Sequence, residues 1–338
     1  MGNAVKAAVA ALVLTLGGSA CSSGDDGAKP SAAAVSGELR IDQLQLKATH
    51  NSYHLETPGT QVADWMYTSD PLDVQASDEG VRGFELDTHY DDGALDVHHI
   101  PQLDERTTCA TLRDCLTVLR DWSDAHPGHH VLFLHIEPKD AEVGEKPDYA
   151  AYADALDAVL LEVWTRKRLV TPADVQGKEP TLRDAVKKHA WPTIESTRGK
   201  LLAYLDERGP FHEAYTRGGS DLHGRVVFPS SHVDEPIAAV VVANDPLAPA
   251  TAAAVKQGFI VRTRADSTPT PDDLDTRRAM ALASGAQIVT TDYPTDVAGK
   301  AQALDLPGGE PSRCNPVTAP RTCSALEVED PAHLLPER

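Results

Sequence analysis

Two acidic residues, Glu85 and Asp87, stand two positions apart in an apolar run that predicts a β-strand. Side chains at alternate strand positions share one face, so both carboxylates are predicted to point into the fold. Two carboxylates on one buried face are costly unless a proton, hydrogen bonds or a cation offsets their charge. Asn51 adds an amide oxygen and Glu137 a third carboxylate, and such an all-oxygen set suits Ca²⁺ better than Mg²⁺. The alternative is an acidic strand at the surface.

Histidines near these acids could transfer protons. His50 follows a predicted strand, and the pair His98-His99 follows an apolar run. Two imidazoles beside a phosphate held by a metal ion would serve as a general acid and a general base. Because the chain has 14 histidines, a chance pairing is the alternative interpretation.

Most of these residues lie at the carboxyl ends of predicted strands. Apolar runs that alternate with helical patterns indicate a parallel sheet. We predict eight strands, at residues 44–49, 83–88, 131–137, 201–206, 225–228, 238–242, 258–263 and 287–291. Eight such strands in roughly 270 residues fit a single-domain, TIM-type α/β barrel better than an open sheet. A barrel gathers the carboxyl ends of its strands at one mouth, which would bring the candidate residues together.

Composition limits the possible partners. The chain has 338 residues, of which 51 are acidic and 31 basic, and its formal net charge is −20. This charge disfavours non-specific binding to nucleic acid or to anionic lipid. We therefore expect no nucleic-acid partner, and we expect a monomer. A polyanionic partner would have to bind through a local basic site or a bound cation.

The first residues predict export. Lys6 precedes an apolar stretch at residues 7–16, which is too short to span a bilayer, and small residues then lead to Cys21. Cys21 resembles a lipoprotein attachment site, although Gly18 replaces the usual leucine, and plain secretion is the alternative. We predict a signal peptide at 1–20, a flexible tether at 21–37, the barrel at 38–306 and a C-terminal extension at 307–338. The mature protein is expected outside the cytoplasm.

The remaining four cysteines form an even set in a compartment that favours disulfides: Cys109, Cys115, Cys314 and Cys323. Three pairings are possible, and two short local loops are the simplest. Cysteines six positions apart cannot bridge inside one regular helix, because they point about 240° apart around its axis. The first loop therefore requires Cys109 to precede the helix that begins near residue 111. A metal site is the alternative, but the spacings are unlike those of zinc sites.

Ten short segments, in order, resemble one family. They are KATHNSY at 47–53, PLDVQ at 71–75, GVRGFELD at 80–87, VHH at 97–99, TTC at 107–109, LRDCL at 112–116, IEPKD at 136–140, RGK at 198–200, VRTRAD at 261–266 and SGAQIV at 284–289. Each segment alone is weak, but the ordered set resembles calcium-dependent phosphatidylinositol-specific phospholipase C of the bacterial, secreted type. The resemblance covers roughly residues 41 to 297 and implies a TIM-type barrel.

The resemblance also implies a role for each candidate residue. The Ca²⁺ ligands would be Asn51, Glu85, Asp87 and Glu137. His50 and His99 would be the catalytic histidines, with His98 in the place of an aromatic residue that precedes the second histidine; this register could shift by one. The substrate-binding residues would be Lys139, Arg262 and Arg264.

The implied reaction cleaves the glycerol–phosphate bond of phosphatidylinositol at a membrane surface. Ca²⁺ would lower the pKa of the inositol 2-hydroxyl and offset the charge that builds on the phosphate. His50 or a ligand carboxylate would take the proton of that hydroxyl, and His99 would protonate the departing diacylglycerol oxygen. The expected first product is an inositol cyclic phosphate, which water could open.

Three other functions compete with this one. A glycerophosphodiester phosphodiesterase shares the barrel, the metal and the two histidines, but it typically has His-Arg-Gly where this chain has His50-Asn51-Ser52. The metal-free bacterial phospholipases C carry an arginine near the second strand, where this chain has Glu85 and Asp87. A non-catalytic lipoprotein that binds a headgroup would have no need to keep both histidines and all four ligands.

Overall fold

The computed structural model describes residues 38–206, 208–308, 311–330 and 334. The predicted signal peptide and tether, together with Cys21, lie outside these residues. The described residues form nine strands: β1 Leu44–Thr49, β2 Gly83–Asp91, β3 Ala94–Val97, β4 Leu132–Pro138, β5 Leu201–Leu205, β6 Val240–Val242, β7 Ile260–Arg264, β8 Ile288–Thr291 and β9 Ser312–Cys314. Seven of the eight predicted strands therefore form.

Seven parallel strands curve into a nearly closed barrel in the order β5-β4-β2-β1-β8-β7-β6. The remaining gap is bridged by two parallel pairings, Tyr204 with Phe228 and Ser230 with Val240. The predicted strand at 225–228 is thus wrong as a regular strand, because Pro229 has no amide hydrogen with which to extend a ladder. The TIM-type fold is confirmed, with this segment in the place of one strand.

Close contact between β1 and β2 depends on a glycine. Gly83 pairs with Ala48 across these strands, and a side chain at position 83 would place its Cβ 2.7 Å from that of Ala48. β1 carries Thr49 into the mouth of the barrel, and β2 carries the two predicted acids. Gly83 therefore allows the two strands that carry most of the candidate site to lie side by side.

Helices cover the outside of the barrel. They are α1 Leu72–Ser77, α2 Leu112–Ala125, α3 Tyr149–Trp164, α4 Pro172–Gln176, α5 Leu182–Lys187, α6 Pro210–Tyr215, α7 Pro249–Lys256, α8 Leu274–Ala283 and α9 Ala325–Val328. None of these helices has the length and apolar character that crossing a bilayer requires.

The start of α2 follows from its sequence. The Thr111 side chain accepts a hydrogen bond from the Asp114 amide, and the Asp114 carboxylate accepts one from the Thr111 amide. This reciprocal cap satisfies two amides that the first turn of a helix leaves without partners. Leu112, Leu116 and Leu119 then recur at helical spacing and are fully buried against the sheet.

Two disulfides close the short local loops that the sequence favoured. Cys109 is bonded to Cys115, and Cys314 is bonded to Cys323. The first links the loop ahead of α2 to the first turn of that helix. The second lies in the C-terminal segment, whose strand β9 pairs antiparallel with β1. The C-terminal segment is thus part of the sheet.

Candidate active site

Three carboxylates come together at the mouth of the barrel, and Asn51 lies on the turn next to them. Glu85 and Asp87 alternate along β2, and Asp87 pairs in parallel register with Glu137 of β4. Ligand oxygens of these three carboxylates lie within 4.8 Å of one another. Asn51 follows the end of β1 in the left-handed region, at φ 42°, a conformation that asparagine tolerates better than most residues. The backbone therefore turns sharply where the amide must face the mouth.

Hydrogen bonds fix the turn that carries Asn51. The Ser52 amide donates to the Glu85 carbonyl at 3.0 Å, and the Glu85 amide donates to the Ser52 hydroxyl at 2.8 Å. Gln75, buried on α1, donates from Nε2 to the Ser52 carbonyl at 2.6 Å. Its Oε1 accepts from the Thr49 hydroxyl at 2.7 Å. These contacts bind the loop after β1 firmly to β2 and α1.

The donor set fits a divalent cation. Among the described residues, no hydrogen bond of good geometry satisfies either carboxylate oxygen of Asp87 or Oδ1 of Asn51, although the Tyr53 hydroxyl faces Asp87 and the Tyr67 hydroxyl faces Asn51. Both Asp87 and Asn51 are at least 96% buried. A buried oxygen without a partner costs roughly 1–3 kcal/mol, and more when it is charged. A cation coordinated by these oxygens removes that cost, and Ca²⁺ prefers oxygen ligands such as these.

The two acids on β2 differ in their electrostatic surroundings. Burial and the neighbouring Glu137 raise the pKa of Asp87 well above its usual range. Burial also opposes ionisation of Glu85, but Arg262, His50 and His135 outweigh it and hold the pKa of Glu85 well below its usual range. The charge of Asp87, whose neighbouring cation is Lys139, is therefore compensated less than that of Glu85.

Arg262 and His135 hold one oxygen of Glu85. The Arg262 guanidinium donates to Oε2 of Glu85 at 2.5 Å, and Nδ1 of His135 lies 3.1 Å from the same oxygen. Oε1 faces the other way, 3.7 Å from Nε2 of His50. Arg262 is only 1% exposed and also contacts Asn244. Arg262 therefore contacts the oxygen of the candidate ligand Glu85 that does not face His50.

Lys139 lies among the carboxylates. Its ammonium donates to Glu137 at 2.9 Å and to Glu142 at 2.9 Å, and it lies 3.7 Å from Asp87. Burial opposes the charge of this ammonium, but Asp87 and Glu137 raise the pKa of Lys139 above its usual value. The lysine therefore supplies the positive charge closest to these two acids.

The two ring nitrogens of His50 face different groups, one towards the acids of the mouth and one towards Asp292. Its Nδ1 lies 3.0 Å from Asp292, which follows β8, so Nε2 is directed towards Glu85. Arg264 lies 3.4 Å from His50 Nδ1 and 3.6 Å from Asp292, and its side chain is 24% exposed. Burial opposes the charge on Asp292, but His50 and Arg264 hold the pKa of Asp292 below its usual value.

His99 and His98 point to different surroundings. Nδ1 of His99 lies 3.0 Å from the buried carboxylate of Asp104, and its ring meets Trp65 edge-on. Burial lowers the pKa of His99, and the nearby Lys139 charge lowers it further. His98 instead stacks on His89 with ring centroids 4.1 Å apart. Asp104 therefore holds His99, whereas His98 packs against another histidine.

Several residues of this site were not assigned from the sequence. Asp292 directly follows a strand end, and that position was the signal that could have marked it. His135 lies two residues before Glu137 on the same face of β4, so alternation could have identified it. His54 and Asp104 lie in loops, where the sequence pattern gives no direction for a side chain.

The deciding comparison is with protein-family models. Residues 92–316, more than half of the chain, match the family described as phosphoinositide phospholipase C, Ca²⁺-dependent. The chain belongs to this family. Its cofactor is Ca²⁺, and the chain is an enzyme of the phosphatidylinositol-specific phospholipase C type. The matched stretch contains His99 and Glu137, whereas the residues from His50 to Asp87 precede it.

Solved structures of this enzyme type share the fold. A Ca²⁺-dependent phosphatidylinositol-specific phospholipase C from Streptomyces antibioticus is 19% identical, with a TM-score of 0.55 over 76% of this chain and 95% of that one. A calcium-dependent phosphoinositol-specific phospholipase C from a Pseudomonas species is also 19% identical, with a TM-score of 0.57 over 82% and 96%. A comparison with curated protein sequences gives no match.

Proposed function

We propose that this family member cleaves phosphatidylinositol to diacylglycerol and an inositol cyclic phosphate at the mouth of the barrel. Asn51, Glu85, Asp87 and Glu137 would hold the Ca²⁺. The observation that carries the proposal is the cluster of the Glu85, Asp87 and Glu137 carboxylates, whose ligand oxygens lie within 4.8 Å of one another, with the buried Asn51 on the turn after β1. When bound, Ca²⁺ would make the inositol 2-hydroxyl more acidic and offset negative charge on the phosphate.

His50 is the proposed general base. The 3.0 Å bond from Nδ1 to Asp292 fixes the ring, and because a carboxylate only accepts hydrogen bonds, while the Arg264 contact with the same nitrogen is longer at 3.4 Å, the neutral ring carries its hydrogen on Nδ1. Nε2 then has a lone pair directed to the side of the mouth where Glu85 lies. It can accept the 2-hydroxyl proton, and the imidazolium that forms is stabilised by Asp292.

His99 is the proposed general acid, which donates a proton to the departing diacylglycerol oxygen. Asp104 holds its Nδ1, so Nε2 is the atom that carries the transferable proton. The two histidines are held by separate carboxylates that reach them from separate loops. This separation lets one imidazole accept a proton while the other releases one.

Basic residues around the mouth are the proposed headgroup contacts. Arg264 is partly exposed beside His50, and Lys139 lies beside Glu137. Both carry charge suited to a phosphate or to inositol hydroxyls. Arg262 remains a predicted substrate residue, but its contacts with Glu85 and Asn244 support a role in orienting the ligand carboxylate.

The proposed setting is outside the cytoplasm, at a membrane surface. Two disulfides among the described residues favour an oxidising compartment. Export by the predicted signal peptide, and lipid attachment at Cys21 as against plain secretion, remain predictions for residues outside the described part. The monomeric state also remains a prediction.

Turnover with two substrates tests the proposed activity. Vesicles containing phosphatidylinositol should release diacylglycerol, and ³¹P NMR should detect a cyclic phosphate before any open product. Glycerophosphoinositol should be turned over more slowly than the lipid. Preferred turnover of the deacylated diester, without a cyclic intermediate, would support the glycerophosphodiesterase function instead.

Histidine variants test the proposed roles. His50→Ala and His99→Ala should each lower kcat by about 10²–10⁴-fold, the usual worth of a positioned acid or base. His232→Ala, at an exposed histidine, is the control for the loss of an imidazole. If His98→Ala proved damaging and His99→Ala silent, the register of the second histidine would be wrong by one.

A further inference from the structure

Asp104 is a buried carboxylate that holds two imidazoles. Its Oδ2 lies 3.0 Å from Nδ1 of His99 and 2.8 Å from Nε2 of His54. Its Oδ1 accepts a hydrogen bond from the Thr57 hydroxyl at 3.0 Å. Both Asp104 and His54 are 0% exposed. Neither His54 nor Thr57 has a role in the function proposed above.

The contacts of His54 specify where its hydrogens are. Nε2 faces the Asp104 carboxylate, and Nδ1 lies 3.0 Å from the carbonyl oxygen of Tyr67. Both of these oxygens accept hydrogen bonds, so the ring nitrogens of His54 serve them as donors. His54 is thus held from two sides, and its ring is stacked on that of Tyr67.

We propose that His54 and Asp104 form a positioning pair that sets the tautomer and the orientation of the His99 ring. In this arrangement Asp104 keeps a hydrogen on Nδ1 of His99 and directs Nε2 to the reacting groups. Contacts with His54 and with the Thr57 hydroxyl hold the Asp104 carboxylate in place for this role. The proposal deepens the proposed function, because it rests on His99 as the general acid.

Backbone hydrogen bonds between the loops hold His54, Asp104 and His99 in fixed positions relative to one another. The amides of His99 and Ile100 donate to the backbone carbonyl of Asp104 at 3.2 and 3.1 Å. The Thr108 amide donates to the Tyr53 carbonyl at 2.8 Å, which attaches this loop to the segment that carries His54. Two loops that are distant in sequence are therefore joined by backbone bonds as well as by Asp104.

The charges around His99 give the proposal a distinctive signature. The charged and titratable groups that face it are Asp104 from its own loop, His54 from the loop after β1, Lys139 from the end of β4, and His89 of β2, whose Nε2 lies 3.3 Å from the His99 carbonyl oxygen. Asp104 favours the protonated ring, whereas His54 and Lys139 disfavour it. Removing Asp104 should therefore lower the pKa of His99, and removing His54 should raise it.

Nitrogen NMR of histidine-labelled protein, without Ca²⁺, tests the positioning directly. In the wild type we expect neutral His99 to be the Nδ1–H tautomer, with its signal assigned from His99→Gln. In Asp104→Asn we expect the Nε2–H tautomer, which free imidazole side chains prefer, and a lower pKa for His99. In His54→Gln we expect the Nδ1–H tautomer to remain and the pKa to rise.

Kinetics supplies a second readout. Asp104→Asn should lower kcat by about 100-fold with KM unchanged, the loss expected when a reacting group is misplaced. The basic limb of its pH–kcat profile should move to lower pH, whereas that of His54→Gln should move to higher pH. Glu105→Gln, which removes a neighbouring exposed carboxylate, is the matched control and should behave as wild type.

Three outcomes separate the possibilities. If Asp104→Asn does not fold, Thr57→Val loosens the same carboxylate and should lower kcat by a smaller factor. Wild-type tautomer and pH limbs in the Asp104 and His54 variants, or shifts of the same sign in both, would overturn the proposal. If the tautomer changes as expected but His99→Gln retains full turnover, the positioning pair stands and the acid role of His99 fails.

Discussion

At the scale of single residues, Asp87 best explains why this site needs a cation. Glu85 has Arg262 and His135 to offset its charge, whereas Asp87 faces Glu137 and has the Lys139 ammonium no closer than 3.7 Å. Ionised Asp87 is therefore the acid whose burial is least compensated by the protein itself. Binding a divalent ion stabilises the ionised form of Asp87. The affinity for the metal therefore depends on how the barrel mouth is folded.

Asp87→Asn should abolish most Ca²⁺ binding. The substitution removes a full ligand charge, and losses of groups around a metal ligand already weaken affinity by about 10–100-fold. Calorimetric titration of Ca²⁺ into the purified protein measures the effect. Asp91→Asn, an exposed acid on the same strand, is the control. Wild-type Ca²⁺ affinity in Asp87→Asn would contradict the ligand assignment.

Lys139→Met should strengthen Ca²⁺ binding. The ammonium contacts Glu137 at 2.9 Å and so competes with an entering cation for that carboxylate. The same calorimetric titration should give a lower Kd for Lys139→Met, and an unchanged Kd for the exposed control Lys146→Met. A higher Kd for Lys139→Met would mean that Lys139 holds the ligand carboxylates in position for the ion. Turnover is a separate measurement, since Lys139 is also a proposed headgroup contact.

The sequence predicted the residues on strands better than those in loops. Alternation along β2 places Glu85 and Asp87 on one face, as the structure has them, and the parallel register brings Glu137 beside Asp87. Alternation predicts on which face of the sheet a side chain lies but not how deeply it is buried. It therefore did not predict that Arg262 is buried against Glu85. Asp104 acts through a contact between two loops, and such contacts depend on tertiary packing.

At the scale of elements, the loops around His99 form an apolar rim. Val62 and Met66, which flank the short helical turn Ala63–Trp65, are each 41% exposed, and Leu103 is 63% exposed. Trp65 of this turn meets the His99 ring. Apolar side chains in solvent beside a mouth that takes a lipid headgroup can bury themselves among acyl chains.

Leu103→Glu and Met66→Glu should weaken turnover on vesicles. The expected loss is at least about tenfold on each, because burying one large apolar side chain is worth roughly 1.5–3 kcal/mol. Turnover of a dispersed short-chain phosphatidylinositol should change little. Leu326→Glu is the matched control, since Leu326 is 57% exposed on α9, which belongs to the C-terminal segment. Equal losses on vesicles and on the dispersed substrate would contradict a membrane role.

The alternation of strands and helices was readable from the sequence, but short helices were not. Strand β1 has the predicted bounds, because its six residues are apolar or buried and are flanked by polar turns. The sequence pattern gave no bounds for helices α4, α6 and α7. Each begins at a proline, which suits the first turn of a helix but also predicts a turn in a loop. Their few turns give too little periodicity to separate the two.

At the scale of the whole molecule, the C-terminal segment helps to hold the barrel together. Glu329 is buried and accepts hydrogen bonds from the Arg82 guanidinium at 2.8–3.0 Å. His130 lies 3.1 Å from the same carboxylate. Burial opposes the charge on Glu329, but Arg82 and His130 hold its pKa below its usual value. A segment distant in sequence thus supplies the counter-charge of an arginine at the start of β2.

Stability should fall as the pH drops below about 6.5. Burial lowers the pKa of His129 to about 3 and that of His130 to about 4, so the unfolded chain binds protons that the folded chain does not. The loss begins at the unfolded histidine pKa and continues to the folded values, at up to about 1.4 kcal/mol per pH unit for each histidine.

Urea unfolding at a series of pH values checks this linkage. His130→Gln should flatten the dependence between pH 6.5 and 4, whereas His232→Gln, at an exposed position, should leave it as in wild type. A wild-type protein whose unfolding free energy stays level over that range would contradict the account of these buried histidines.

Removal and return of Ca²⁺ during turnover of phosphatidylinositol tests the central claim most directly. Diacylglycerol release should stop when a chelator strips the ion and should resume when Ca²⁺ is restored in excess, while Mg²⁺ should not replace it. Circular dichroism before and after chelation should show that the barrel stays folded. Diacylglycerol release that continues at the same rate in the stripped protein would contradict a Ca²⁺ ion at Asn51, Glu85, Asp87 and Glu137 as the basis of catalysis.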